Sequence, residues 1–398
     1  MHEDLLALAV GDDERAFATK VIEFLDGQAQ RRTAAATAWG SGPENLSLFH
    51  ETSDAEERQE ADAARAWQRT RWDAGYGWIT GPAAHGGAAL PAGHDRLYRL
   101  LEAAFDVPDM NPVRIGVGTV GPAIVAFGTD EQVGTYAAGI QRGDLVACQL
   151  FSEPGAGSDL AGVRTRATRT DDEWVVTGQK VWTSNATFAD IGLALVRTDP
   201  DAPKHRGLTM FLVPMDVPGV EVRPLRQLTG GASFTEVFLQ DVRLPDALRV
   251  GEVGAGWKVA TGALAGERKA VGDRSHEMMA RALDLLRTRE HDALTREDWV
   301  RLYSRLRIAR FQQQRAADLG GAERAIDKLL LTTNMRLVGE LAQELLGPAF
   351  AADTGDWGTF GWNRWMMGAL GYRIAGGTEE ILKTMLAERV LMLPREPR

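Results

Sequence analysis

The chain is predicted to fold as an α+β protein with an N-terminal α-helical domain over 1–145, a middle β-barrel over 146–250 and a C-terminal four-helix bundle over 251–398. Three observations carry this. Apolar residues recur at i, i+3 and i+4 up to about residue 145, and that period breaks into short β-branched and aromatic runs. Turn residues separate those runs, as in a small barrel or sandwich. After about residue 250 the helical period returns.

In the first region DERAFATKVIEFLDGQAQ, DAEERQEADAARAWQRTRWDAG and AGHDRLYRLLEAAFD carry the helical stripes, and TGPAAHGGAALP is a loop by its Gly and Pro content. The middle region consists of EWVVTGQKVWTSN, IGLALVRT, GLTMFLVPM, VEVRPLRQL and SFTEVFLQDVRLP, each short enough for a strand. The last region has helical segments near 255–290, 295–318, 320–347 and 376–391. No internal repeat or low-complexity tract is present.

The chain has 398 residues, 44% hydrophobic and 25% charged, the composition of an ordinary globular protein. A net charge of −10 argues against general binding to nucleic acid or an anionic membrane. Cys148 is the only cysteine, which excludes a disulfide framework and a cysteine-based zinc site. The 7 histidines form no HxxH or HExxH pattern, so metal catalysis has little support. Apolar runs such as IGLALV at 191–196 fall far short of the ~20 residues that a membrane-spanning helix needs. The acidic start, MHEDLLALAVGDDER, resembles neither a secretory nor a transit peptide, so the expected address is the cytoplasm.

One carboxylate interrupts an oily seam. Trp257, Ala260, Leu264, Glu267, Val271, Met278, Ala282 and Leu285 fall on one helical stripe, and only Glu267 is polar. Two readings stand side by side: a glutamate paired with a cation from elsewhere, or a functional acid. Burial without a partner favours the neutral form of a carboxyl, so its anion becomes a strong proton acceptor.

Two motifs in the middle region suit an aromatic or phosphate-bearing ligand. FSEPGAGSDLAG, residues 151–162, allows a tight turn with exposed backbone N–H groups, although a structural turn is the commoner meaning. It is neither a dinucleotide fingerprint nor a P-loop, because Leu160 stands where a third glycine belongs and no Gly-Lys-Ser/Thr follows. GQKVWTSN, residues 178–185, puts an indole and two hydroxyls on one strand, suited to stacking on a ring and bonding its heteroatoms. A core tryptophan is the plain alternative.

Taken together, in this order, the motifs closely resemble the flavin-dependent acyl-CoA dehydrogenases. The matching stretches are FSEPGAGSDLAG, VVTGQKVWTSN, RGLTMFLVPM, EVFLQDVRLP, GEVGAGWKVATGALAGER, AQELLG and YRIAGGTEEILKTMLAERVLMLP. The resemblance implies an acyl-CoA dehydrogenase-like fold, an FAD cofactor and an acyl-CoA thioester substrate. By the same resemblance Phe151, Ser152, Gly157 and Ser158 line the flavin ring and thioester, and Trp182, Thr183 and Ser184 cover the isoalloxazine and bond near its reactive nitrogen. Thr378, Glu379 and Glu380 fall on the segment touching the FAD diphosphate, Gln343 on one reaching a neighbouring subunit's FAD, and Arg268 beside the catalytic chamber.

The family reaction gives the α-proton to a carboxylate and the β-hydrogen, as hydride, to flavin N5. Many members carry that carboxylate directly before the Gly-Thr of the closing segment, where this chain has Gly376. Others carry it directly before the arginine, as in Gly-Glu-Arg at 266–268, and on that pattern Glu267 is the expected base. Gly376 keeps a backbone N–H for the thioester oxygen and leaves room for a bulky acyl group. The Arg-x-x-Phe-Gly run with which many members reach a neighbour's FAD is not evident between 285 and 310. The resemblance implies a homo-oligomer (dimer or tetramer) or a heterotetramer with a paralogous subunit, with an electron-transferring flavoprotein as acceptor. A non-catalytic partner subunit and an acyl-CoA oxidase are the alternatives.

Overall fold

The structure is a computed structural model, and it describes residues 5–6, 8–9, 11–32, 48, 54–270, 279, 283, 286, 292–318, 325–355 and 359–395. Within these, side chains are described for all but 54, 265–270, 313–314, 316–318 and 359. The chain separates into two compact units, Met1–Ala34 with Thr52–Leu225 and Phe234–Ala263, and Ala35–Glu51 with Arg226–Ser233 and Leu264–Arg398.

In the first unit, helices α1 (Asp12–Gln28), α2 (Asp54–Asp73) and α3 (Ala92–Glu102) form where the helical stripes lie. Ala18, Val21, Ile22 and Leu25 bury one face of α1 against Leu97, Tyr98 and Leu101 of α3. Asp12, Asp13 and Glu14 in the first turn of α1 complement the positive end of its dipole. Two further helical stretches, α4 (111–127) and α5 (130–142), each contain a π turn, Gly116–Val120 and Val133–Ala137.

The strands of this unit are β1 (Ala147–Leu150), β2 (Arg166–Thr170), β3 (Glu173–Ser184), β4 (Ile191–Arg197), β5 (Leu208–Pro214), β6 (Val220–Leu225), β7 (Phe234–Pro245) and β8 (Arg249–Val250). They form one 8-stranded mixed sheet in the order β6-β7-β3-β2-β4-β5-β8, with β1 parallel to β4. Strands β4 and β5 read as unbroken apolar runs because both of their faces are buried. By contrast β3 and β7 alternate, with Trp174, Val176, Val237, Leu239, Val242 and Leu244 in the core.

Helix α6 (Gly256–Ala270) starts tight against β5. A Cβ on Gly256 would lie 2.6 Å from the Thr209 backbone nitrogen and 2.7 Å from the Leu208 carbonyl carbon. Gly254 N–H donates to Thr209 Oγ1 at 3.1 Å just ahead of it. Because the obstructing atoms are backbone, Gly256→Ala is expected to cost about 1–3 kcal/mol by overpacking, read as a lower denaturation midpoint. An unchanged midpoint would contradict this seat for the helix.

In the second unit, α7 (Ala293–Asp318), α8 (Ala325–Leu346), α9 (Thr359–Ile374) and α10 (Glu379–Arg389) are helical. Met279, Leu283, Leu302, Leu306, Met335, Val338, Trp362 and Trp365 share its core. Trp365 Nε1 donates to the Met335 carbonyl at 2.8 Å, which satisfies the buried indole. No helix among the described residues is long and apolar enough to cross a membrane.

Candidate active site

Two of the sequence motifs meet in the first unit. The loop after β1 carries Phe151 and Ser152 alongside β3, where Val181 N–H donates to the Ser152 carbonyl at 2.9 Å. Phe151 is buried, Ser152 half-buried, and Gly157 and Ser158 are exposed. A Cβ on Gly155 or Gly157 would meet nothing within 4 Å, so this side of the loop is open.

Strand β3 ends in an irregular stretch. Its register against β7 shifts between Lys180 and Thr183, and Trp182 sits in that bulge with φ +60°. A left-handed conformation at a bulky residue costs about 1–3 kcal/mol and gathers at functional sites. Trp182 is 58% exposed, an indole presented to the outside rather than packed in the core. Its only described ring contact is Phe234, edge-on at 5.9 Å. Asn185, also left-handed at φ +66°, is anchored by its Nδ2 donating to the Pro112 carbonyl at 2.9 Å.

Strand alternation separates the two hydroxyls. Ser184 is half-buried on the side of Trp182, while Thr183 is buried at 1%. Thr183 Oγ1 has no hydrogen-bond partner among the described residues, although its carbonyl accepts from Thr235 Oγ1 at 3.0 Å.

Beneath this face lie two charged residues to which the sequence reading gave no role. Lys180 is fully buried and Glu153 is 8% exposed, and Lys180 Nζ donates to Glu153 Oε1 at 2.8 Å. Burial brings the Lys180 ammonium down to about 8, against the opposing pull of Glu153. Burial pushes the Glu153 carboxyl up, but Lys180 and the bonds from Thr165 and Arg164 outweigh it and hold the group below the usual carboxylate range. Both are therefore charged at neutral pH. Their signal in the sequence was a lysine and a glutamate inside otherwise apolar or glycine-rich motifs.

The second unit carries the closing segment. Gly376 and Gly377 take φ +66° and +96°, which glycine adopts without strain. The Lys328 ammonium donates to the carbonyls of Ala375 and Gly377 and so fixes the turn on both sides of Gly376. Thr378 caps α10, its Oγ1 accepting from Ile381 N–H at 3.3 Å. Glu379 is buried and accepts from Thr332 Oγ1 at 2.9 Å and from Arg373 at 3.1 and 3.2 Å. Burial raises its carboxyl, and these bonds more than reverse that. Glu380 and Gln343 are exposed. Glu379 thus ties the turn to α8 and α9 rather than presenting a charge to solvent.

Glu267 and Arg268 lie on α6, two and one residues before Lys269 in its last full turn. Their side chains lie outside the described residues, as do Val271, Met278, Ala282 and Leu285 of the same stripe. The described part of the helix buries Val259, Ala260 and Ala263. At 3.6 residues per turn the position of Glu267 continues the register of Ala260 and Ala263. Among the described residues no group of histidine, cysteine and acidic side chains could hold a metal.

Comparison with known proteins identifies the family of the chain. The profile of the acyl-CoA dehydrogenase middle domain matches residues 148–242, and that of the acyl-CoA dehydrogenase C-terminal domain matches residues 254–391. Acyl-CoA dehydrogenase FadE34 of Mycobacterium tuberculosis is 42% identical over 326 residues, covering 79% of this chain and 44% of its own length. The chain therefore spans less than half of that relative. Acyl-CoA dehydrogenase IpdE1 of Mycobacterium tuberculosis is 37% identical over 351 residues, covering 85% of this chain and 90% of its own. The solved Tcur3481-Tcur3483 steroid ACAD superposes with a TM-score of 0.75 at 27% identity, over 96% of this chain and 98% of that one. The chain belongs to the acyl-CoA dehydrogenase family, a family of flavin-dependent oxidoreductases with FAD as the usual cofactor.

Proposed function

We propose that this chain is an FAD-dependent acyl-CoA dehydrogenase that converts an acyl-CoA thioester to its 2-enoyl-CoA, with Glu267 as the base. The observation that carries the reading is the face of β3: an exposed, left-handed Trp182 with the half-buried Ser184 on its side of the strand. Those residues fit a flavin, since an indole face stacks on an aromatic ring and hydroxyls bond its heteroatoms. Ser152 adjoins this face through its carbonyl's bond from Val181 N–H. Phe151, Gly157 and Ser158 share its loop and are assigned to the flavin and thioester by the family resemblance, and the open Gly157 lets a ligand come close to the backbone. Thr378, Glu379 and Glu380 belong to the segment assigned to the FAD diphosphate, where a capped helix N-terminus favours anions. Gln343, exposed on α8, is free to reach a neighbouring subunit's FAD.

When bound, FAD supplies the two-electron oxidant that accepts the β-hydrogen as hydride. Glu267 takes the α-proton. Gly376, held by Lys328 through its neighbours' carbonyls, offers its N–H to the thioester oxygen and stabilises the charge that develops there. Ser158 borders the thioester, and Arg268 stands beside the chamber. A groove of about 440 Å³ lined by Asp159, Arg164, Arg197 and Lys204 adjoins the loop. Lys204 is paired with Asp159 and Arg197 donates to the Val163 and Ala161 carbonyls, which leaves Arg164 as the cation for a CoA phosphate. An electron-transferring flavoprotein is the proposed acceptor.

The test is anaerobic reduction of the purified holoprotein by acyl-CoA thioesters of graded size. Bleaching of the flavin band by at least one thioester is the expected result. The absent side chain at Gly376 and the likeness to a steroid ACAD both favour a bulky acyl group. A yellow protein bleached by none of them would contradict the proposal.

The designation of the solved steroid ACAD, Tcur3481-Tcur3483, pairs two names, and Gly376 lacks the usual carboxylate. Both favour a second reading, a subunit of a heteromer whose catalytic share lies with a paralogue. Protein that is colourless and inert alone, but active with a co-expressed paralogue, would establish it.

A further inference from the structure

Lys180 and Glu153 stand in the two segments that frame the Trp182 face, and both are buried beneath it. The Lys180 ammonium has three N–H donors, and each meets a separate acceptor. They go to the Phe151 carbonyl at 3.1 Å, Glu153 Oε1 at 2.8 Å and the Leu195 carbonyl at 2.6 Å. Glu153 in turn accepts from Arg164 N–H at 2.6 Å and Thr165 N–H at 2.8 Å. Lys180 on β3, acting through Glu153, therefore ties the start of the Phe151–Ser158 loop, the Arg164–Thr165 stretch that leads into β2 and strand β4 to a single point. Ser152 lies between the two loop residues that Lys180 holds, and its carbonyl accepts from Val181 N–H next to Trp182.

Stability alone does not call for this construction. A buried ion pair can be replaced by apolar or neutral groups of similar volume without loss, and sometimes with gain. What a neutral group cannot do is bind three acceptors from two segments, the loop after β1 and strand β4, in fixed directions. The pair also lies where geometry matters most, two residues along β3 from Trp182 and one residue along the loop from Ser152.

We propose that Lys180, acting through Glu153 and the Phe151 carbonyl, is a positioning residue for the flavin site: it sets the loop carrying Ser152 against the end of β3 carrying Trp182 and Ser184. The inference rests on the reading of that face as the flavin site. Lys180 touches neither flavin nor substrate; it fixes the two edges between which the ring is held.

The experiment compares wild type with Lys180→Met and with the double variant Lys180→Met/Glu153→Gln. The single variant strands a buried carboxylate and is expected to be destabilised. The double variant removes both charges and keeps the shape of the glutamate, so it is expected to melt close to wild type. Three quantities are read: melting temperature, FAD affinity of the apoprotein, and hydrogen exchange of the FAD-free protein. In the double variant FAD is expected to bind about tenfold or more weakly, the loss expected for bonds to a charged group. The Arg164, Thr165 and Val181 amides exchange faster without FAD, while those of β5 keep their wild-type rates. A double variant with wild-type FAD affinity and wild-type exchange overturns the inference. So does one in which weaker FAD binding merely follows a matching fall in melting temperature, which would make the pair a plain stabiliser. A wild-type chain that takes up no FAD overturns the flavin reading itself, an outcome distinct from both.

Discussion

Glu267→Gln is expected to leave the protein yellow and folded, with the rate of substrate-dependent flavin bleaching reduced about 10²–10⁴-fold. The amide is nearly isosteric and cannot accept the α-proton, so binding survives and chemistry does not. The assignment rests on the Gly-Glu-Arg pattern at 266–268 and on the place of Glu267 in the stripe of Trp257, Ala260 and Leu264. Rapid-mixing absorbance of the flavin band under anaerobic conditions checks it. Bleaching at the wild-type rate would remove Glu267 from the mechanism.

Glu153→Ala is expected to destabilise the protein by about 3–5 kcal/mol, because it leaves the Lys180 ammonium buried without its carboxylate. The amides of Arg164 and Thr165 lose their acceptor at the same time. The deficit has a definite pH profile. In wild type the folded-state carboxyl of Glu153 is held low, so its stabilisation is present above the usual carboxylate range and is lost as pH falls through and below it. Without Glu153 the Lys180 ammonium is depressed below its wild-type value of about 8, so the variant sheds the buried charge earlier as pH rises. The deficit is therefore largest between the carboxylate range and the variant's lowered ammonium value, shrinks on the acid side, and shrinks again as pH rises towards about 8, above which it levels off. Urea denaturation of both proteins across pH 3–9 measures it. A deficit independent of pH would show that the pair is not ionised in the fold.

Much of the architecture was legible in the residues because it rests on local periodicity. The switch from helical to strand spacing near residue 146 and back near 251 follows from which faces are buried, and IGLALV reads as a strand buried on both sides. The loop at 151–162 and the strand at 178–185 were legible as a pair through their likeness to a family, not through any single residue. The sequence treated Thr183 and Ser184 alike, whereas strand alternation puts Ser184 on the side of Trp182 and buries Thr183. The left-handed turn at Trp182 left no local trace, since it follows from a bulge in the pairing with β7.

The charged pair was missed for a physical reason. Glu153 and Lys180 are 27 residues apart in the chain, and nothing local says that a loop glutamate and a strand lysine will share a dry site. Glu379 has the same lesson: its partner Thr332 lies 47 residues away on another helix. Long-range ion pairs depend on register between elements, which composition and spacing do not encode.

The central claim is that a carboxylate at 267 exchanges the proton on the carbon beside the thioester. Solvent deuterium incorporation at that carbon measures this directly, with the holoprotein incubated anaerobically in heavy water with an acyl-CoA and the recovered thioester analysed by mass. The account predicts incorporation by the wild type and none above background by Glu267→Gln, with both proteins holding FAD. Equal incorporation by the two proteins, or none by a wild type whose flavin that thioester bleaches, would contradict it.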